Sequence, residues 1–133
     1  MTMHQDKLHF PSRESDIQRI RPQLPIETTD SMSDIERFQT ETLRPVLKMQ
    51  HDLLKAIFAD YLIQQKVKLQ ALSADRYTDF VYQALTKDQA LKNILLGTVV
   101  GQFTLEEYRF YNANRQEIAK RLMKFMAKRI AEN

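Results

Sequence analysis

From Asp34 onward, hydrophobic positions recur every three to four residues, and strict alternation is almost absent. Leu43, Val46, Leu47, Leu54, Ile57, Phe58 and Tyr61 fall on one helical stripe, with Lys48, Asp52, Lys55 and Ala59 opposite. The same spacing returns in Tyr77, Phe80, Val81 and Ala84, and again in Leu91, Ile94, Leu95 and Thr98. The widest stripe is the last, running through Leu105, Tyr108, Tyr111, Ile118, Leu122, Phe125, Met126 and Ile130.

Polar residues mark where these stripes begin. Ser33 with Glu36, Thr86 with Gln89 and Thr104 with Glu107 have capping-box spacing, in which hydroxyl and side-chain oxygen satisfy each other's backbone donors. Ser73 precedes a further start at Ala74, for a helix reaching Leu85. Thr42 as a cap places Pro45 in the first turn, where amides are unpaired anyway, and predicts a main helix from Leu43 to about Lys68. Phe103 and Tyr108 flank the Thr104 start as a hydrophobic staple, and the helix behind them reads as unbroken to about Ile130. Ala90, Gly97 and Gly101 share a face that predicts close approach of another helix, and Gly101 suits a C-terminal cap. The fold class is therefore all-α: a single helical bundle of about four main helices plus a short N-terminal helix, over residues 33–133. Its short connections predict antiparallel neighbours.

Residues 1–32 show no sustained period, and Pro11, Pro22 and Pro25 interrupt them. They read as an extended or disordered arm with at most one turn near Asp16–Ile20, whose Ile17, Ile20, Leu24 and Ile26 are able to dock on the body or on a second subunit.

Composition changes this picture little. An apolar fraction of 43% and a charged fraction of 28% suit a globular domain with a real core, and only two glycines and four prolines favour long helices. The absence of cysteine excludes disulfides, thiolate zinc sites and a cysteine nucleophile. Met1 to Phe10 lack a signal-peptide pattern and no apolar run reaches the length of a membrane span, so the expectation is a cytoplasmic protein with no membrane partner. Residues 1–40 hold five basic against seven acidic side chains and the remainder fifteen against ten, a mildly acidic arm on a mildly basic body.

No phosphate loop, dinucleotide fingerprint, zinc-protease motif or nucleophile elbow occurs, so no catalytic, cofactor-binding or metal residue is predicted. A three-histidine metal site would need His4 and His9 of the arm to close over His51. His51 and Asp52 point about 100° apart on a helix, so they cannot orient each other, and a boundary histidine outweighs a catalytic base. Two polar residues break the stripes. Gln50 lies amid Leu43, Leu47, Leu54 and Ile57, and Arg115 amid Tyr108, Tyr111, Ile118 and Leu122. A buried guanidinium needs partners. Either Gln50, Asn112 or a carboxylate such as Asp60 satisfies Arg115 as a core contact, or Gln50, Arg115, His51, Tyr111 and Asn112 form a polar pocket between the two long helices for a small anionic ligand.

The last helix also carries Lys120, Arg121, Lys124 and Lys128 opposite its apolar stripe. Nucleic acid is the sharp reading of this face. However, cations near a helix C-terminus are favoured by the macrodipole and no aromatics interleave with them in sequence, so a solvated face is the better one. Phe110 falls on the polar side and points to a contact with a partner chain or the arm.

Leu43-Arg44-Pro45-Val46-Leu47-Lys48-Met49-Gln50 and Gly101-Gln102-Phe103-Thr104-Leu105-Glu106-Glu107-Tyr108 together resemble a family of short, uncharacterised bacterial proteins, over roughly residues 36–131. Some members carry a glyoxalase label, which these residues do not support: the usual glyoxalase needs a βαβββ fold and His/Glu metal ligands. The resemblance implies no functional residue. The leading expectation is a non-enzymatic helical interaction protein that forms a homo-oligomer, motivated by the Tyr/Phe/Met-rich last stripe. An anion-binding protein or enzyme is the alternative.

Overall fold

In the computed structural model, residues 11–25, 27–69 and 72–132 are described. They form helices α1 (Pro11–Ile20), α2 (Asp34–Phe38), α3 (Arg44–Gln64), α4 (Ala74–Lys87), α5 (Gln89–Val100), α6 (Leu105–Ala113) and α7 (Arg115–Ala131), with a π-helical turn at Gln39–Leu43 between α2 and α3. No strand occurs among the described residues, so the chain is all-α as its periodicity predicts. Whatever the sequence says of residues 1–10, His4, His9 and Ile26 lies outside the described residues.

Three of the predicted starts are built as expected. Ser33 and Thr104 close complete capping boxes with Glu36 and Glu107, and the Ser73 hydroxyl accepts from the Arg76 amide. Two starts move. The Thr86 hydroxyl donates to the Tyr82 carbonyl inside α4, and Asp88 caps α5 instead by accepting from the Leu91 amide at 3.1 Å. Aspartate is the stronger cap, and it serves as both the end of α4 and the start of α5. Thr42 caps nothing. The helix passes through it without a break, because the Arg44 amide reaches back five residues to the Gln39 carbonyl. This wider turn makes room for the Pro45 ring, which would otherwise clash with the carbonyl four residues before it.

The extra residue in that turn also re-phases the helix. At about 100° per residue, an unbroken α-helix would aim Phe38 about 150° from the mean direction of Leu43, Val46, Leu47, Leu54 and Phe58; one inserted residue cuts this to about 50°. Phe38 is thereby buried in the same core. The phase slip that reads as a helix boundary is a π-turn.

α3 ends at Gln64, short of the predicted Lys68. Lys66 takes a left-handed φ of 55° while the Val67 amide bonds the Leu62 carbonyl, a helix-ending turn usually reserved for glycine. The last long helix is broken too. Asn114 (φ −126°, ψ 32°) donates from its side-chain amide to the Phe110 carbonyl at 3.0 Å and splits its backbone amide between Phe110 and Tyr111, so α6 stops and α7 starts in a new direction.

α3, α4, α5 and α7 surround the core, with α4 and α3 each packed along α7 and α5 closing the other side. Contacts Gln39–Arg121, His51–Arg129 and Lys55–Ile130 advance together along both chains, so α3 and α7 run in the same direction. Gln50–Thr98 and Tyr61–Asp88 advance oppositely, so α3 and α5 are antiparallel. The bundle therefore mixes parallel and antiparallel neighbours. The close approach expected at the glycines is missing: a Cβ on Gly97 would meet nothing within 4 Å, and Gly101 is right-handed (φ −61°) with only the Gly97 carbonyl against it.

The segment expected as an arm contains a helix docked on the α5–α6 corner. Ile17 is 5% exposed, Arg13 donates to the Gly101 and Phe103 carbonyls, and the Glu14 carboxylate accepts from the Leu105 amide at 3.0 Å. Arg21 then makes a two-pronged ion pair with Glu107 at 2.7 and 2.9 Å and donates to the Gln102 carbonyl. Low hydrophobicity hides this docking from periodicity, since its energy lies in polar contacts to exposed backbone groups. Phe110, the outlier, packs on Phe38 with ring centroids 5.0 Å apart, so its partner is within the body.

Candidate functional site

The expected pocket between the two long helices is not formed. Gln50 is half-buried in the α3–α5 seam, where its amide donates to the Thr98 carbonyl at 3.0 Å. His51 faces Arg129, with Nδ1 3.4 Å from the guanidinium. Arg115 stands elsewhere, exposed at the first position of α7. It sits at the outer end of the Ile118–Leu122 stripe rather than in its middle, because the break at Asn114 ends the core there. Of the five candidate pocket residues, Arg115 and Tyr111 come together, and Asn112 joins them by accepting from the Arg115 guanidinium. Gln50 and His51 belong to other contacts.

Arg115 and Tyr111 nevertheless line a cavity of about 520 Å³ on the other side of α7. α5 contributes Gln89, Lys92, Asn93 and Leu96; α7 contributes Arg115, Gln116, Ala119, Lys120 and Met123; Tyr82 and Tyr111 close it from α4 and α6. Each set follows from helical spacing, since residues three or four apart share a face. The chemistry is divided. Leu96, Ala119 and Met123 make an apolar floor, three amides offer donors and acceptors, and Lys92, Arg115 and Lys120 bring three cations, with no carboxylate among the described lining residues.

The tyrosines shape the electrostatics. Burial pushes the Tyr111 hydroxyl above its ordinary range, and the Arg115 charge opposes this only in part, so the phenol stays neutral and able to donate. The Arg115 guanidinium lies 5.5 Å from the Tyr111 ring centroid. Ring and Asn112 together hold this otherwise exposed cation at the groove's edge.

The expected basic face divides as well. Lys120 joins the groove and Lys124 lines a neighbouring cavity, while Lys128 is exposed. Arg121 turns away, its Nε 2.7 Å from Glu117 and its Nη1 donating to Gln39 at 3.1 Å. That ion pair holds the exposed Glu117 carboxyl below its ordinary value, chiefly through the hydrogen bond.

Tyr82, Gln89, Lys92 and Asn93 escape sequence reasoning. The one local signal is the i, i+4 spacing of Gln89 and Asn93, whose amides bond at 3.0 Å. Nothing in the α5 pattern shows that this flank meets α7. Most of the stripe that motivated a homo-oligomer is spent inside the chain: Tyr111, Ile118, Leu122, Met126 and Ile130 are buried in its own core, and Tyr108 stays 41% exposed. Comparison of the chain with protein-family models, with curated proteins and with solved structures finds no match in any of the three.

Proposed function

We propose that the protein binds a small organic anion in the groove between α5 and α7. The observation that supports this most is the meeting of Lys92, Arg115 and Lys120 over an apolar floor without a lining carboxylate. Like charges gathered this way repel one another, and an anion relieves that cost. The volume is within the range of small-molecule sites, and tyrosines with amides supply directional contacts beside the charge. Calorimetric titration of the full chain with inorganic phosphate tests it. Arg115→Gln, which removes an exposed charge, is expected to weaken binding about tenfold or more, roughly the loss of one charge-assisted hydrogen bond. Equal affinity in wild type, Arg115→Gln and Lys92→Gln would refute it.

Self-association is a second reading, favoured by a different face. Leu53 (49% exposed) on α3 and Ile94 (57% exposed) on α5 flank the antiparallel seam at the same level. A molar mass measured by light scattering should rise above 15.7 kDa with concentration and return to it in Leu53→Asp. A constant monomer mass would end this reading.

A further inference from the structure

We infer that the groove is one half of a longer trough and that its ligand is a sugar phosphate. The inference rests on the anion-binding reading above and adds the chemistry of the ligand's other end. A second cavity, of about 250 Å³, opens between α4 and α7 and is lined by Thr78, Asp79, Tyr82, Lys124 and Ala127. Tyr82 lines both cavities, so its ring is their shared wall. Lys120 in the first and Lys124 in the second are one helical turn apart on α7, as are Thr78 and Tyr82 on α4. One turn is about 5.4 Å, so a single small molecule reaches both.

The two ends ask for different groups. The first offers cations and no carboxylate. The second is lined by both Asp79 and Lys124, and no ion pair joins them among the described residues. A carboxylate accepts and an ammonium donates, and a hydroxyl is the neutral group that answers both. The Thr78 hydroxyl donates to the Ala74 carbonyl at 2.9 Å, which leaves its lone pairs to accept from a ligand. A second phosphate here would meet the Asp79 charge, and a bare hydrocarbon would strip water from Asp79 and Lys124 without replacing it. Between the ends, the Tyr82 ring and Ala127 provide an apolar wall for the C–H face of a sugar ring. Phosphate at Lys92, Arg115 and Lys120, ring along Tyr82, and hydroxyls at Asp79 and Lys124 is the arrangement that pairs every group.

Titration of the full chain with ribose 5-phosphate and with inorganic phosphate tests this. Wild type is expected to bind ribose 5-phosphate about tenfold more tightly than phosphate, the worth of one well-made contact. Asp79→Ala, at an exposed position where circular dichroism is expected to find the fold intact, should erase that difference and leave phosphate affinity unchanged. Arg115→Gln should weaken both probes. Phosphate binding with no preference for the sugar, or a preference that survives Asp79→Ala, overturns the sugar assignment and leaves the anion site standing. Failure of both probes to bind overturns the two together.

Discussion

Phe58→Ala is expected to destabilise the protein by about 3–5 kcal/mol, the range for truncating a fully enclosed aromatic side chain. Phe58 is 0% exposed and faces three rings at once, with Tyr61, Tyr77 and Phe80 at centroid distances of 5.6, 6.5 and 6.3 Å. Its ring joins α3 to α4 at the end of the bundle beyond which α3 gives way to a loop. Neighbouring rings are rigid and cannot collapse into the space, so the cavity term adds to the lost transfer energy. Urea unfolding followed by helix signal should show the midpoint fall without a large change in slope. Phe58→Leu keeps more of the volume and should cost about half as much. A loss below about 1 kcal/mol for the alanine variant would mean that Phe58 does not hold this end together.

Glu107→Ala should cost a similar amount, about 3–5 kcal/mol, for a different reason. Its carboxylate accepts both prongs of Arg21, the Thr42 hydroxyl at 3.0 Å and the Thr104 amide at 2.9 Å, while its own amide bonds the Thr104 hydroxyl. The paired Arg21 side chain is only 10% exposed. Removing the acid therefore leaves a buried cation, and α1, the π-turn and the start of α6 lose their common anchor. Replacing both partners, as in Arg21→Met with Glu107→Met, should cost less than Glu107→Ala alone, because no charge is stranded. If the double variant is as unstable as the sum of its single changes, the pair is not coupled.

The same group predicts a pH dependence. Burial pushes the Glu107 carboxyl up, but the Arg21 hydrogen bonds, the Thr104 amide, the Arg21 charge and the Thr42 hydroxyl outweigh it, and its pKa lies below the ordinary 4.5. A lowered native pKa means that the stabilisation is complete above the unfolded value and disappears as pH falls through the native one. Wild type should lose stability below about pH 4, and the double methionine variant should lose less over that interval.

Much of the fold was legible in local chemistry. Ser33, Ser73 and Thr104 mark real helix starts because a capping contact spans three residues and needs no tertiary partner. Thr86 has the capping-box spacing and still caps nothing, because Asp88 supplies a better cap; Thr42 caps nothing either, since Pro45 three residues on has no amide to donate and the Thr42 hydroxyl goes to the Glu107 carboxylate. The break at Asn114 was visible only as two asparagines in a short stretch, a weak sign against a strong stripe. It mattered most for the site, because it moved Arg115 from the middle of a stripe to its rim. Lys92 and Tyr82 could not be paired with Arg115 from spacing alone. Their meeting depends on how α4 and α5 turn at Asp88, a one-residue junction whose angle no periodicity encodes.

The π-turn has a consequence for how this chain tolerates change. None of the five side chains from Gln39 to Leu43 sets the angle between Phe38 and the stripe that follows; their number does. Substitution there leaves that angle alone, and losing one position lets the turn relax to an ordinary α-helix with Phe38 still about 50° from the stripe, whereas gaining one would swing everything before it by about 100° and carry the Phe38 ring out of the core. In this stretch the heritable instruction is a length, and insertion is the error that cannot be read through.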